Sequence, residues 1–208
     1  MFRFKATDRE DGDKPEFVST KNPNLKENVR SYLHDFVFGL VGILLIFMFV
    51  FRIVVVSGPS MQQTLMNGDC VLLLSNTLYQ KPEAGDIVVL SKQSYKNGEP
   101  IIKRVIATEG QVVDIDFSNG TVYVDGIALD EPYISTPTVN SEGIIFPITV
   151  KEDCIFVMGD NRSNSSDSRS TEIGQIDCRE IIGKALFLAL PAMDNSSGKR
   201  DLSRIGVL

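Results

Sequence analysis

The chain has 208 residues, a formal net charge of −6 and one histidine. Residues 57–208 hold thirteen Lys/Arg against twenty Asp/Glu, an acidic balance with no basic stripe, which argues against binding nucleic acid by phosphate neutralisation. The single histidine is His34, so everything beyond it excludes a Ser-His-Asp triad, a Cys-His pair and any His-containing metal site.

Residues 1–35 are polar, with seven Lys/Arg, seven Asp/Glu and two prolines, Pro15 and Pro23. That composition predicts a flexible arm. Phe36–Phe51 is then an unbroken apolar run, interrupted by Arg52 and continued by four more apolar residues to Val56. As helix, the run to Phe51 spans about 24 Å and the extension to Val56 about 31 Å, close to a hydrocarbon thickness of about 30 Å. A soluble core helix would show a polar face. A cleaved signal peptide would show a shorter leading region and a small-x-small site after the run. Residues 36–56 therefore predict an uncleaved transmembrane signal anchor, with the long Arg52 stem reaching the headgroups. Lys21, Lys26 and Arg30 precede the run, whereas the next cation after Arg52 is Lys81; the positive-inside rule puts the N-terminus in the cytoplasm and the larger domain outside.

Beyond Val56 the pattern changes to short apolar runs between Gly/Pro turns: 71–74, 86–90, 101–106, 112–117, 121–124, 127–129, 154–158 and 181–190. Asn119-Gly120 between two β-rich flanks marks a hairpin. No long helical period follows, so residues 57–191 predict a mainly β domain, and 192–208 a polar, loose tail. The three cysteines, Cys70, Cys154 and Cys178, match no zinc spacing and read as buried thiols; no disulfide is claimed.

Without a histidine, a serine nucleophile beyond the run needs another base, and lysine is the recognised substitute. Ser60 follows Ser57-Gly58-Pro59, where Pro59 fixes φ, Gly58 permits close approach, and backbone N–H groups of the turn can hold an oxyanion. The plain alternative is an ordinary turn after a helix. Lys103 lies in the apolar stretch 101–106, where burial would lower its pKa toward that of a working base. By alternation Lys103 and Arg104 occupy opposite faces, and spacing alone does not say which face is buried. Gly159–Arg169 is a dense polar stretch that forms either an ion-paired network or a solvated loop. A paired-aspartate site would draw on Asp69, Asp86, Asp160 and Asp167, none of which sits in a recognisable dyad context.

Taken in order, these clusters resemble the bacterial type I signal peptidases, membrane-bound Ser-Lys endopeptidases, and most of all those of Gram-positive bacteria. Residues 57–65 (SGPSMQQTL) resemble the nucleophile box, 85–89 (GDIVV) the next box, 103–110 (KRVIATEG) the lysine box, and 159–169 (GDNRSNSSDSR) the last. The resemblance implies Ser60 as nucleophile and Lys103 as general base, with Ser165 hydrogen-bonding and orienting the lysine. It implies that Asp167 and Arg169 hold the loop as a structural pair, with Asp160 and Arg162 in support, and, since 112–151 is short for the family's second β-region, that the β cap near 110–151 is small. Its substrates would be secreted precursors cut after small-x-small sites, in contact with membrane lipid, with no cofactor and no metal. Two positions depart from the pattern. Some relatives carry serine at the position of Gly58, where its hydroxyl helps hold the oxyanion, so here backbone N–H groups near Gly58 and Ser60, or another donor, must serve. Proline is usual where Gln63 stands, a change of turn rather than of chemistry. Two other readings share parts of this pattern: a self-cleaving repressor-type Ser-Lys protease, which would be soluble and carry a DNA-binding region, and a membrane-anchored, non-catalytic β-domain that binds envelope partners.

Overall fold

The computed structural model of the chain describes residues 25–194 and 197–208. The expected arm up to residue 24, and Asn195-Ser196 of the expected tail, lie outside the described residues. The chain divides into two units, one closing at Leu44 and the other running Leu45–Leu208.

The helix, α1, spans Leu25–Val50. Its stretch Asn28–Val50 is long and apolar enough to cross a membrane, at 23 residues and about 35 Å, and none of that stretch is buried. The helix departs from the expected anchor at both ends. It starts in the polar arm, because residues 25–37 contain no glycine or proline to stop it. It stops six residues before Val56, because Phe51–Val55 is strand β1, bound along its length to Cys70–Ser75, strand β2. The β-branched Ile53-Val54-Val55 suit a pleated surface better than a last helical turn. Arg52 is therefore a strand residue, paired in register with Leu73.

Two antiparallel sheets follow. The strands in chain order are β3 (Ile87–Leu90), β4 (Ile101–Thr108), β5 (Val112–Asp116), β6 (Thr121–Val124), β7 (Ile127–Ala128), β8 (Ile148–Thr149), β9 (Cys154–Met158), β10 (Ile176–Asp177), β11 (Ile181–Leu190) and β12 (Gly206–Val207). The larger sheet has the order β1-β2-β11-β3-β4-β9-β10, with β12 added beside β11. The smaller sheet, β7-β6-β5-β8, falls within the expected cap region. Its hairpin turns at Asn119-Gly120, where Gly120 has φ +75° and a Cβ would lie 2.4 Å from Pro137.

Alternation within the strands decides the packing. In β2, Val71, Leu73 and Ser75 point inward while Cys70, Leu72 and Leu74 are half-exposed. Val71 and Leu73 join Val56, Met61, Leu65 and Leu188 in one core cluster, so the residues flanking Ser60 are anchored in the domain core. The strands β3 and β9 are buried on both faces, as their continuous apolar sequences allow, and β4 between them is largely buried on both faces although it carries Lys103 and Arg104.

The expected loose tail is docked. Gly206 and Val207 pair with Leu188 and Phe187, the Leu208 amide donates to the Leu186 carbonyl, and Leu208 packs against the core cluster. The three thiols are half-buried rather than fully buried, and all are free.

Candidate active site

The larger sheet brings Ser60 and Lys103 together. The chain leaves β1, passes Val56 and turns at Gly58, whose φ of +91° is a left-handed conformation that favours glycine. Ser60 sits just beyond, with its neighbour Met61 only 1% exposed in the core. Gln63 has φ +86°, a conformation closed to proline, whose ring fixes φ near −65°. Glutamine at this position therefore belongs to a different turn.

Lys103 lies on β4 between β3 and β9 and is 3% exposed. Its Nζ lies 2.8 Å from Ser60 Oγ and donates to the Ile102 carbonyl at 3.0 Å. Removal of the amine from water lowers its pKa to about 8, against the opposing pull of Asp167, while Lys96 adds to the lowering. A cleft of about 320 Å³ opens at the pair, lined by Val54, Val56, Tyr95 and Ile101 among others.

The stretch Gly159–Arg169 backs this pair. The Asn161 amide donates to the Ser60 carbonyl at 3.0 Å, and Asn161 Nδ2 to the Pro59 carbonyl at 3.1 Å. Asp167 and Arg169 form a buried two-pronged pair, Nε to Oδ1 at 2.8 Å and Nη2 to Oδ2 at 2.9 Å. Asp167 Oδ2 also accepts from the Gly159 amide and from Ser165 Oγ, both at 2.9 Å. The Ser165 hydroxyl thus spends its proton on Asp167, where a hydrogen bond to the lysine was expected. It still lines the same cleft as Lys103. Gly159 must be small for a steric reason: a Cβ there would lie 2.2 Å from Ser165 Oγ and 2.5 Å from the Ser60 carbonyl oxygen.

Asp160 and Arg162 do not pair with each other. Asp160 takes a two-pronged bond from Arg104 at 2.8 and 2.7 Å, and the Thr64 hydroxyl donates to it at 2.5 Å. The Arg104 guanidinium stacks 4.0 Å from the Tyr133 ring. Arg162 reaches Glu131 at 3.0 and 2.5 Å and Thr138 Oγ1 at 2.7 Å. Asp69 and Asp86 bind Arg204 and Lys184, so each of the four aspartates has its own cation. Sequence reading missed Glu131, Glu142, Thr64 and Arg204. Their partners in these ion pairs and bonds lie between 27 and 140 residues away, and no local pattern announces such pairings.

Two features bear on charge stabilisation in the cleft. The Gly58 amide is occupied, donating to Asn67 Oδ1 at 3.0 Å. The Ser60 amide makes no hydrogen bond among the described residues. Among the described residues, no group of three or more His, Cys, Asp or Glu is placed to hold a metal ion.

A serine hydroxyl held against a buried amine, with a carboxylate-braced loop behind it, is an arrangement able to support acyl transfer without histidine. The family model for signal peptidase, peptidase S26, matches residues 29–190, and the chain belongs to that family. It is a peptidase, and α1 fits the membrane anchor of its kind. Among its relatives, the chain is 37% identical over 175 residues to a probable signal peptidase I-1 of Synechocystis, covering 81% of this chain and 84% of the relative. It is 32% identical over 185 residues to signal peptidase I S of Bacillus subtilis, covering 84% and 96%. A signal peptidase I of known structure from Enterococcus faecalis is similar over 50% of this chain and 97% of its own, at 28% identity and a TM-score of 0.41.

Proposed function

We propose that the protein is a membrane-bound endopeptidase that removes signal peptides from secreted precursors after small-x-small sites, with Ser60 as nucleophile and Lys103 as general base. The observation that carries this is the 2.8 Å contact between Lys103 Nζ and Ser60 Oγ at a lysine 3% exposed. The neutral amine accepts the Ser60 proton as the oxygen attacks the scissile carbonyl. The ammonium so formed then protonates the leaving amine. Release of the acyl-enzyme uses a water deprotonated by the same amine.

The Ser60 amide is the backbone donor for the oxyanion, since the Gly58 amide already serves Asn67. Gly58 contributes the turn that presents the nucleophile, and Ser165, Asp167 and Arg169 fix the shape of the wall behind it. Asp160 and Arg162 brace that wall against Arg104 and Glu131. The β1 strand lies at the edge of its sheet and leads directly into the nucleophile turn, so an extended cleavage segment can pair along it.

The N-terminal arm faces the cytoplasm, α1 supplies the anchor through its stretch Asn28–Val50, and the β domain, which starts with β1, works on the outer side. An exposed apolar face, with Ile53 and Val55 of β1 both about two-thirds exposed, suits work beside lipid. Anchoring enzyme and precursor in one bilayer reduces the search that each encounter requires.

The test is covalent capture. A mechanism-based serine-acylating inhibitor should add its mass to the wild-type protein at Ser60, as read by peptide mapping. Labelling elsewhere, or equal labelling of Ser60→Ala, would refute the assignment.

A further inference from the structure

Ser60 belongs to a loop that closes on itself. The Val56 amide donates to the Asp69 carbonyl and the Gly68 amide to the Val56 carbonyl, both at 2.8 Å, so residues 56 and 69 form its neck. The catalytic stretch holds this loop through Asn161 and through Thr64 bound to Asp160. A second grip comes from the C-terminal segment, through Ala192 and Arg204.

The centre of that grip is Asp69, a carboxylate with 0% exposure. Its Oδ2 accepts from the Met66 amide at 2.7 Å and from Arg204 Nη2 at 2.6 Å. Its Oδ1 accepts from the Ala192 amide at 2.7 Å and from Arg204 Nη1 at 3.1 Å. Arg204 Nη2 also donates to the Thr64 carbonyl at 3.3 Å, so one guanidinium holds both the neck and the middle of the loop. The Ala192 side chain leaves so little space that a Cβ on Gly68 would lie 3.3 Å from it.

Arg204 is itself delivered by a built element. The Arg200 guanidinium binds the Pro191 carbonyl, a bridge joins Met193 to Arg200, and Asp201 caps the short 3-10 turn Leu202–Arg204 through the Ser203 amide at 3.1 Å. The β12 strand then fixes the segment to β11. A solvated tail needs none of these bonds, and a two-pronged arginine on a buried carboxylate has a defined geometry to impose.

We propose that Arg204 is a positioning residue for Ser60: acting through Asp69 and the Thr64 carbonyl, it fixes the loop that carries the nucleophile, so that the C-terminal segment helps complete the active site. The proposal rests on Ser60 being the nucleophile. Its physical basis is that acyl transfer tolerates little displacement of the attacking oxygen, and about 1 Å of misplacement costs up to about a hundredfold in rate.

The experiment compares the full-length wild type with Arg204→Met and Arg204→Lys in detergent, well below their melting temperatures, using a precursor with a small-x-small site. Arg204→Met should lose about tenfold or more in kcat with KM within about twofold and an unchanged pKa for the acid limb. Arg204→Lys, which keeps the charge but not the fork, should fall between the two. Amide exchange of residues 61–69 should quicken in both variants. Wild-type kcat in either folded variant would overturn the proposal, as would unchanged exchange in the loop. A wild-type protein that cleaves no precursor would sink the peptidase mechanism instead, and the exchange measurement would still decide for or against the clamp.

Discussion

The pH dependence of cleavage follows from the burial of one amine. Lysine ordinarily titrates at 10.5, and burial lowers Lys103 to about 8. At pH 7 the neutral fraction of such an amine is about 9%, against about 0.03% at the ordinary value, a gain of about 300-fold in working base. The neutral form is the base, and it accumulates as pH rises. The value of kcat/KM for a fluorogenic small-x-small peptide should therefore climb about tenfold per unit below pH 7 and level off above about pH 8. Glu142 lies near this site, 3.2 Å from Arg169, and its negative charge is among those that favour the ammonium. Glu142→Gln should move the acid limb a few tenths of a unit, about 0.3, toward lower pH. A flat profile from pH 6 to 9, or a limb near 10.5, would refute the reasoning.

The same burial makes a prediction about stability. The folded-state pKa of Lys103 lies below its unfolded value, so burying the ammonium costs stability below about pH 8, at most about 3 kcal/mol, and the cost is relieved as pH rises from 8 toward 10.5. Lys103→Met should therefore be inactive yet about 1–2 kcal/mol more stable than wild type in urea at pH 7, after allowance for the bonds of Nζ. A less stable variant with the wild-type pH dependence would contradict this. Gly159→Ala drives a methyl into Ser165 and the Ser60 carbonyl, and should cost about 1–3 kcal/mol by thermal unfolding along with cleavage. Arg162→Met strands Glu131, whose side chain is 5% exposed, and should cost about 3–5 kcal/mol in denaturant, whereas Arg179→Ala, at an 89% exposed side chain, should leave the midpoint unchanged.

Much of the β domain was legible because its strands are short apolar runs punctuated by glycine and proline. The hairpin at Asn119-Gly120 and the strands around 87–90 and 101–108 fall where the pattern places them. The failures share a cause. Phe51–Val55 reads equally as the end of an apolar helix or as a strand, and only its partner β2, fifteen residues further on, decides. The segment 193–208 reads as polar and loose because the bonds that hold it are made by Asp69 and β11, invisible in its own composition. The candidate site shows the same divide. Lys103 and Arg104 have equivalent sequence settings on opposite faces of β4. One meets Ser60 and the other Asp160, and the sheet alone distinguishes them. Ser165 is a further instance: its place in the motif was readable, but that its hydroxyl donates to Asp167 was decided by the fold of the loop.

The most direct test is a side-by-side cleavage of one small-x-small precursor by wild type, Ser60→Ala and Lys103→Ala, each first verified as folded. If a buried amine activates the serine, wild type releases the mature protein and both variants release none. Cleavage retained by Lys103→Ala would mean that the hydroxyl is activated by something other than its neighbour at 2.8 Å.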